Sequence, residues 1–188
     1  MKSRITLVSS MFVVMLAGLS GRAVAQDTQT DNHQISVVVP VVALLDLETS
    51  GTKNFTASFT KPANDEAGEK IVAPAANNSL WLNYTSIQAG TTTKKVNVKA
   101  STLVDGVDIH LVAGSAAGGA GTKGTPTAGF NLTTTDQTLI SDIGSAYTAS
   151  GPNAGHQLTY TFLADDANYA NLRSGSTTVT VTYTLADN

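Results

Sequence analysis

Chemistry in a protein needs side chains of the right type at the right spacing, and the first to consider here are His33, His110 and His156, in a chain without cysteine. None of the three stands in a HExxH, HxH or HxxxH arrangement that would put two rings on one metal, and without thiolates the ligand inventory for a transition metal is short. His110, between Ile109 and Leu111, reads as the outer face of a strand, and His156, after Gly151-Pro152-Asn153-Ala154-Gly155, as a residue leaving a turn. A serine nucleophile on a sharp turn would carry a Gly-x-Ser-x-Gly pattern, which residues 26–188 lack. Asp46 and Glu48, two apart on a strand, would share one face at about 7 Å. Such a pair across a groove can cleave glycosides, but acids at a strand end more often discourage unwanted pairing. Asp105 with Asp108, and Asp165 with Asp166, sit in no DxDxDG calcium loop, and solvated turn acids are the simpler reading. The expectation is a non-enzymatic chain with no catalytic residue, no metal and no cofactor.

One pair of aromatics invites a binding role. Trp81, the only tryptophan, with Tyr84 nearby, is a candidate ligand platform, since an exposed ring stacks on sugars. A lone tryptophan within Leu80-Trp81-Leu82 is also the usual core plug of a sandwich. Alternation puts Leu80, Leu82 and Tyr84 on one face and Trp81 with Asn83 on the other, so both readings stay open at this point.

The elements that must position these residues are strands. Threonine, valine and glycine are frequent and charged residues are only 13% of the chain, a mixture that suits half-buried pleated surfaces joined by turns. In residues 178–185, Val179, Val181, Tyr183 and Leu185 alternate with threonines, the period of a strand with one core face. Residues 34–48 alternate through Ile35, Val37 and Val39, meet Pro40, and resume at Val41, Ala43, Leu45 and Leu47. Proline cannot donate to a ladder, so Pro40 marks an edge or a break, such as a first strand uses in switching sheets. Further strands are expected at 54–60, 80–84, 94–100, 107–113, 130–134 and 157–163. The glycine-rich stretch 114–129 reads as a mobile surface loop, and 165–172 as a helical turn or two capped by Asp165, with Tyr169 and Leu172 inward. The fold class expected is all-β, an Ig-like antiparallel β-sandwich of about 7–9 strands in a single domain.

The first residues set a compartment. Lys2 and Arg4 precede an apolar run over residues 5–19, and Ala23-Val24-Ala25 follows as a small-x-small cleavage site, the pattern of a signal peptide over residues 1–25. The domain then covers residues 26–188, with 26–34 a flexible leader. No second apolar run could insert in a membrane after cleavage. Cleavage takes three of the 11 basic residues and none of the 14 acidic ones, moving the net charge from −3 to about −6. That balance disfavours nucleic acid or an anionic membrane as partner.

The closing stretch Ser174-Gly175-Ser176-Thr177-Thr178-Val179-Thr180-Val181-Thr182-Tyr183-Thr184 resembles the last strand of chaperone-usher pilins and of spore coat protein U-like domains. Tyr183-Thr184-Leu185 is similar to the second motif of WxL cell-wall-binding domains, with tyrosine where that family has tryptophan. Residues 80–86 resemble a Leu-Trp-Leu-Asn-Tyr-Thr-Ser segment of secreted β-sandwich proteins of Gram-negative bacteria. The pilin resemblance implies a fimbrial subunit whose N-terminal strand fills a neighbour's groove, with Ile35, Val37, Val39 and Val41 as donor positions and a periplasmic chaperone as a transient partner. The cysteine pair common in those families is absent, as is a small residue midway along the donor strand. Two functions follow as expectations. One is a structural or adhesive protein of the periplasm or cell surface that associates with itself or with other surface subunits by β-strand complementation. The alternative is a cell-surface carbohydrate- or cell-wall-binding module built on Trp81 and Tyr84.

Overall fold

The computed structural model describes residues 29–188, so the signal-peptide segment lies outside the described residues. The chain divides into two compact units, Met1–Val38 and Val39–Asn188. Of the first, residues 29–38 are described, and they form neither helix nor strand. The second holds nine strands: β1 (Val42–Thr49), β2 (Asn77–Ile87), β3 (Lys94–Ala100), β4 (Asp108–Ala116), β5 (Ala120–Pro126), β6 (Phe130–Asn131), β7 (Gln137–Tyr147), β8 (His156–Leu163) and β9 (Val181–Asp187). The expected all-β, antiparallel class is what this unit forms.

All nine strands belong to one hydrogen-bonded path, β6-β4-β8-β2-β7-β3-β9, with β1 added to β2 and β5 to β7. The path folds over on itself at β2. The N-terminal half of β2 pairs with β8, whereas Thr85 and Ser86 pair with Tyr147 and Ala146 of β7. Two wings result, β1-β2-β8-β4-β6 and β5-β7-β3-β9, and their inner faces share one core. Leu80, Leu82, Leu111, Leu158 and Tyr160 from the first wing meet Val96, Val98, Leu139, Ile140 and Ile143 from the second. Burying each such aliphatic side chain contributes on the order of 1.5–3 kcal/mol, which is what holds the wings together. The Tyr160 and Tyr183 hydroxyls, one from each wing, hydrogen-bond across this core.

Four local expectations change, the first being that residues 34–41 of the strand expected at 34–48 form no strand. Residues 54–60 do not join a sheet and make only the isolated bridge Thr60–Val72. Their apolar alternation serves side-chain packing, with Phe55 edge-on to Tyr160 at 5.5 Å and to Phe162 at 6.3 Å. The expected strand at 130–134 shrinks to the two residues of β6. The stretch 114–129 is no mobile loop, because its centre is β5, laid against β7 from Ala120–Tyr147 to Pro126–Ile140. Glycine makes this possible. Gly119, Gly121 and Gly124 have positive φ, and a Cβ there would stand 1.8, 2.2 and 2.4 Å from the carbonyl oxygens of Tyr147, Ser145 and Ser141. Lack of side chains at these positions is the condition for close approach.

The 165–172 stretch does hold a short 3₁₀ turn, Tyr169–Asn171, and Asp165 Oδ1 accepts the Asn168 backbone N–H at 2.9 Å just before it.

Gly121→Val should lower the free energy of unfolding by about 2–4 kcal/mol, from steric overlap plus a strained φ. Gly51→Ala, in open space with ordinary φ, should be nearly neutral. Urea denaturation followed by tryptophan fluorescence checks both; equal midpoints would contradict the packing described for β5.

Candidate functional site

The apolar run over residues 35–41 splits at the proline. Val42 is the first residue of β1, which pairs with β2 from Val42–Ile87 to Thr49–Leu80. Upstream of it, Ile35, Val37, Val38, Val39 and Val41 take part in no ladder and expose 63–86% of their surface. Five large aliphatic side chains in seven residues are thus individually exposed. Pro40, inside this run and two residues before β1, has no N–H to give a partner strand.

The other candidate is a surface of β2, and here alternation separates its two aromatics. Trp81 points to the outer face and is half-buried between its register partners, Glu48 of β1 and Gln157 of β8. Tyr84 points the opposite way and is 3% exposed in the core. The structure therefore does not bring Trp81 and Tyr84 together as one platform: residues three apart on a strand face opposite sides.

Tyr84 instead belongs to a buried polar chain that the sequence did not reveal. Its ring stacks on His156 with centroids 5.6 Å apart, and His156 is 1% exposed at the start of β8. His156 Nδ1 donates to the Gly114 carbonyl at 2.8 Å, which leaves Nε2 as an acceptor 2.9 Å from the Tyr84 hydroxyl. The single proton of this hydroxyl serves either Nε2 or the Lys123 carbonyl, which lies against it, and Lys123 Nζ donates to the Gly118 carbonyl at 2.7 Å. This chain ties β2, β4 and β8 to β5, so its place is the wall of the sandwich and not a cleft. Desolvation holds the imidazole below its ordinary pKa, against the raising effect of the Gly114 and Lys123 carbonyls. Burial likewise pushes the Tyr84 phenol up, beyond ordinary titration. Both groups are kept neutral.

The remaining candidates are dispersed. Asp46 pairs with Lys53 at 3.0 Å on the exposed side of β1, and that hydrogen bond lowers its pKa. Glu48 is half-buried beside Trp81. Asp165 serves the turn before Tyr169, and Asp166 pairs with Lys70 at 2.8 Å. His110 is fixed by Asn131 at 3.0 Å. Among the described residues, no three histidines or acids gather where they could hold a metal ion, and no helix is long and apolar enough to cross a membrane. Against known proteins, no family model, curated protein or solved structure matches the chain.

Neutral burial of His156 has a sign. Its folded pKa lies below the unfolded value of about 6.5, so the unfolded chain takes up the proton first. Stability from this residue is intact above pH 6.5 and is lost as pH falls toward the folded pKa. The urea midpoint should drop between pH 7.5 and pH 5, and His156→Gln should flatten that part of the profile. Tyr84→Phe should cost about 1–3 kcal/mol at pH 7.5, because the buried acceptors beside the hydroxyl, His156 Nε2 and the Lys123 carbonyl, lose the one proton that serves them.

Proposed function

We propose that the protein is a non-enzymatic subunit of an extracellular or cell-surface assembly, and that its copies join by β-strand complementation. Residues 35–39 are the strand it gives. The observation that carries this reading is the exposed, unpaired apolar run at Ile35, Val37, Val38, Val39 and Val41. A soluble chain that leaves such a segment in water loses the free energy its burial would return, about 1.5–3 kcal/mol for each large aliphatic side chain. Ile35, Val37 and Val39 alternate with Ser36 and Val38, so on pairing one face of the strand would be wholly apolar. Backbone hydrogen bonds along an edge would add affinity, and the apolar face would supply register.

The sequence inventory supports the same reading from another direction. The chain has no cysteine, no paired histidines and no serine on a nucleophile turn, while its first 25 residues carry an export pattern. Export to the periplasm or cell surface brings the strand to where a partner subunit can take it, with a periplasmic chaperone covering it meanwhile. Adhesion is the role such an assembly serves in this proposal.

The mature chain, residues 26–188, should elute in size-exclusion chromatography with light scattering as dimers and higher oligomers, and gels should show heat-resistant ladders. Val37→Asp combined with Val39→Asp should give monomers with an unchanged urea midpoint, since neither side chain is packed. Wild-type monomers at high concentration, or oligomers unaffected by the double substitution, would overturn the proposal.

A further inference from the structure

We infer that the outer face of the sheet at Trp81 binds a neutral pyranose unit of a glycan, with Glu48 and Gln157 holding its hydroxyls. The site uses none of residues 35–41 and does not depend on strand complementation. Trp81 is the only tryptophan of the chain, and the apolar core does not include it. Its direction follows from its neighbours. Leu80, Leu82 and Tyr84 point inward and are buried to within 3% of their surface, so position 81 between them faces out. There the indole is half-buried, a large apolar ring that meets water on the side away from the core.

Register sets a hydrogen-bonding side chain on each side of this ring. Trp81 pairs with Glu48 of β1 and with Gln157 of β8, and residues directly opposite each other share a face of the sheet. Two strand spacings put the flanking residues about 10 Å apart, room for one six-membered sugar ring with hydroxyls at either side. Asp46, on the same face of β1, is already taken by Lys53 at 3.0 Å. Glu48 forms no ion pair among the described residues, so its carboxylate keeps its capacity to accept.

Gln157 is oriented in advance by a break in the ladder. The pairing of β2 with β8 slips between Asn77 and Leu80, which leaves Asn78 without a partner residue in β8. Bulges of this kind re-aim the groups beside them. The freed Asn78 carbonyl accepts Gln157 Nε2 at 3.0 Å, and because a carbonyl can only accept, this bond fixes which end of the amide is which. Gln157 Oε1 and the second Nε2 proton remain for a ligand. Holding the amide in place beforehand lowers the entropy lost when a ligand docks.

The ligand class follows from this set of groups. A pyranose carries an apolar C–H face that can cover an indole, and a belt of hydroxyls that both donate and accept. One aromatic surface with a carboxylate on one side and an oriented amide on the other answers that pattern, an apolar platform with a few placed polar groups. Thr159, two residues along β8, adds a hydroxyl on the same face. Charge selects a neutral sugar. Residues 26–188 carry a net charge of about −6, and an acidic glycan would bring its carboxylates toward Glu48. A quaternary ammonium would find the indole and Glu48 but has no hydroxyl for Gln157 to hold.

Because Trp81 is the sole tryptophan, its fluorescence reads the site directly. Residues 26–188 are titrated with cellohexaose, chitohexaose, mannohexaose and maltohexaose, with hexagalacturonate and choline as acidic and cationic comparisons. At least one neutral oligosaccharide should give a saturable change, reproduced by calorimetry. Glu48→Gln and Gln157→Leu should each weaken binding about fivefold to tenfold with an unchanged urea midpoint, the effect of losing one hydrogen bond. Trp81→Ala, checked for folding by circular dichroism, should abolish the heat of binding. The Val37→Asp, Val39→Asp variant should bind as the unmodified chain does. No saturable response to any of the four neutral oligosaccharides would overturn the site, as would a response confined to hexagalacturonate or choline. Binding indifferent to both Glu48→Gln and Gln157→Leu would overturn it too. An unmodified chain that stays monomeric yet binds one of these sugars through Glu48 and Gln157 would remove strand complementation and leave the glycan site standing.

Discussion

A backbone amide in a sheet must find a partner on each side of its strand or meet water, and this requirement organises the molecule. Nine strands answer it with a single path of pairings that turns over where β2 leaves β8 and takes up β7. The turn brings two apolar faces together. Interior residues such as Leu82, Leu158, Val96 and Ile143 are then fully buried, while the path still ends at edges. A closed barrel would have none. Edges are the remaining cost of the architecture, and they are where its surface can do something.

Polar tethers sit where the wings meet. The Tyr84–His156 chain reaches four strands and holds the glycine-rich β5 against the wall, and Tyr160 with Tyr183 crosses between β8 and β9. Such groups are buried at a desolvation cost that their hydrogen bonds offset, and a tether with one member missing is worse than none. Lys94, next to Asp187 at the end of β9, ties the edge strand by its side chain. Among the described residues this edge strand is anchored to β3 on one side and pairs with no strand on the other.

Legibility varied with how directly a residue's role depends on its neighbours in sequence. Strict alternation at 178–185 and 94–100 marks strands with one core face; β3 matches the second, and β9, beginning at Val181, starts three residues into the first and lies beside β3. Alternation also separated Trp81 from Tyr84. β7 escaped notice although it is among the most buried strands, because Leu139 and Ile140 are adjacent and Ile143 and Ala146 follow at intervals of three. The cause is an irregularity in pairing with β3 near Asp142, where φ is positive. A bulge moves successive side chains out of period two, and pattern reading fails there by construction. β5 was hidden for a different reason: glycines are chosen for what the opposing backbone requires, which local sequence does not state.

Sequence by itself determined the all-β class, the break at Pro40 and the alternating faces of the principal strands, since each depends on residue type and near neighbours. Tertiary structure decided which strands adjoin, that the glycine-rich stretch is a strand, that His156 is a neutral tether and that residues 35–41 form no strand and leave their aliphatic side chains exposed. Those outcomes depend on contacts between residues far apart in the chain, such as Tyr84 with Lys123 and Gly121 with Ala146. Long-range contacts are fixed by packing and by the pairing of every ladder at once, and no window of local sequence contains them.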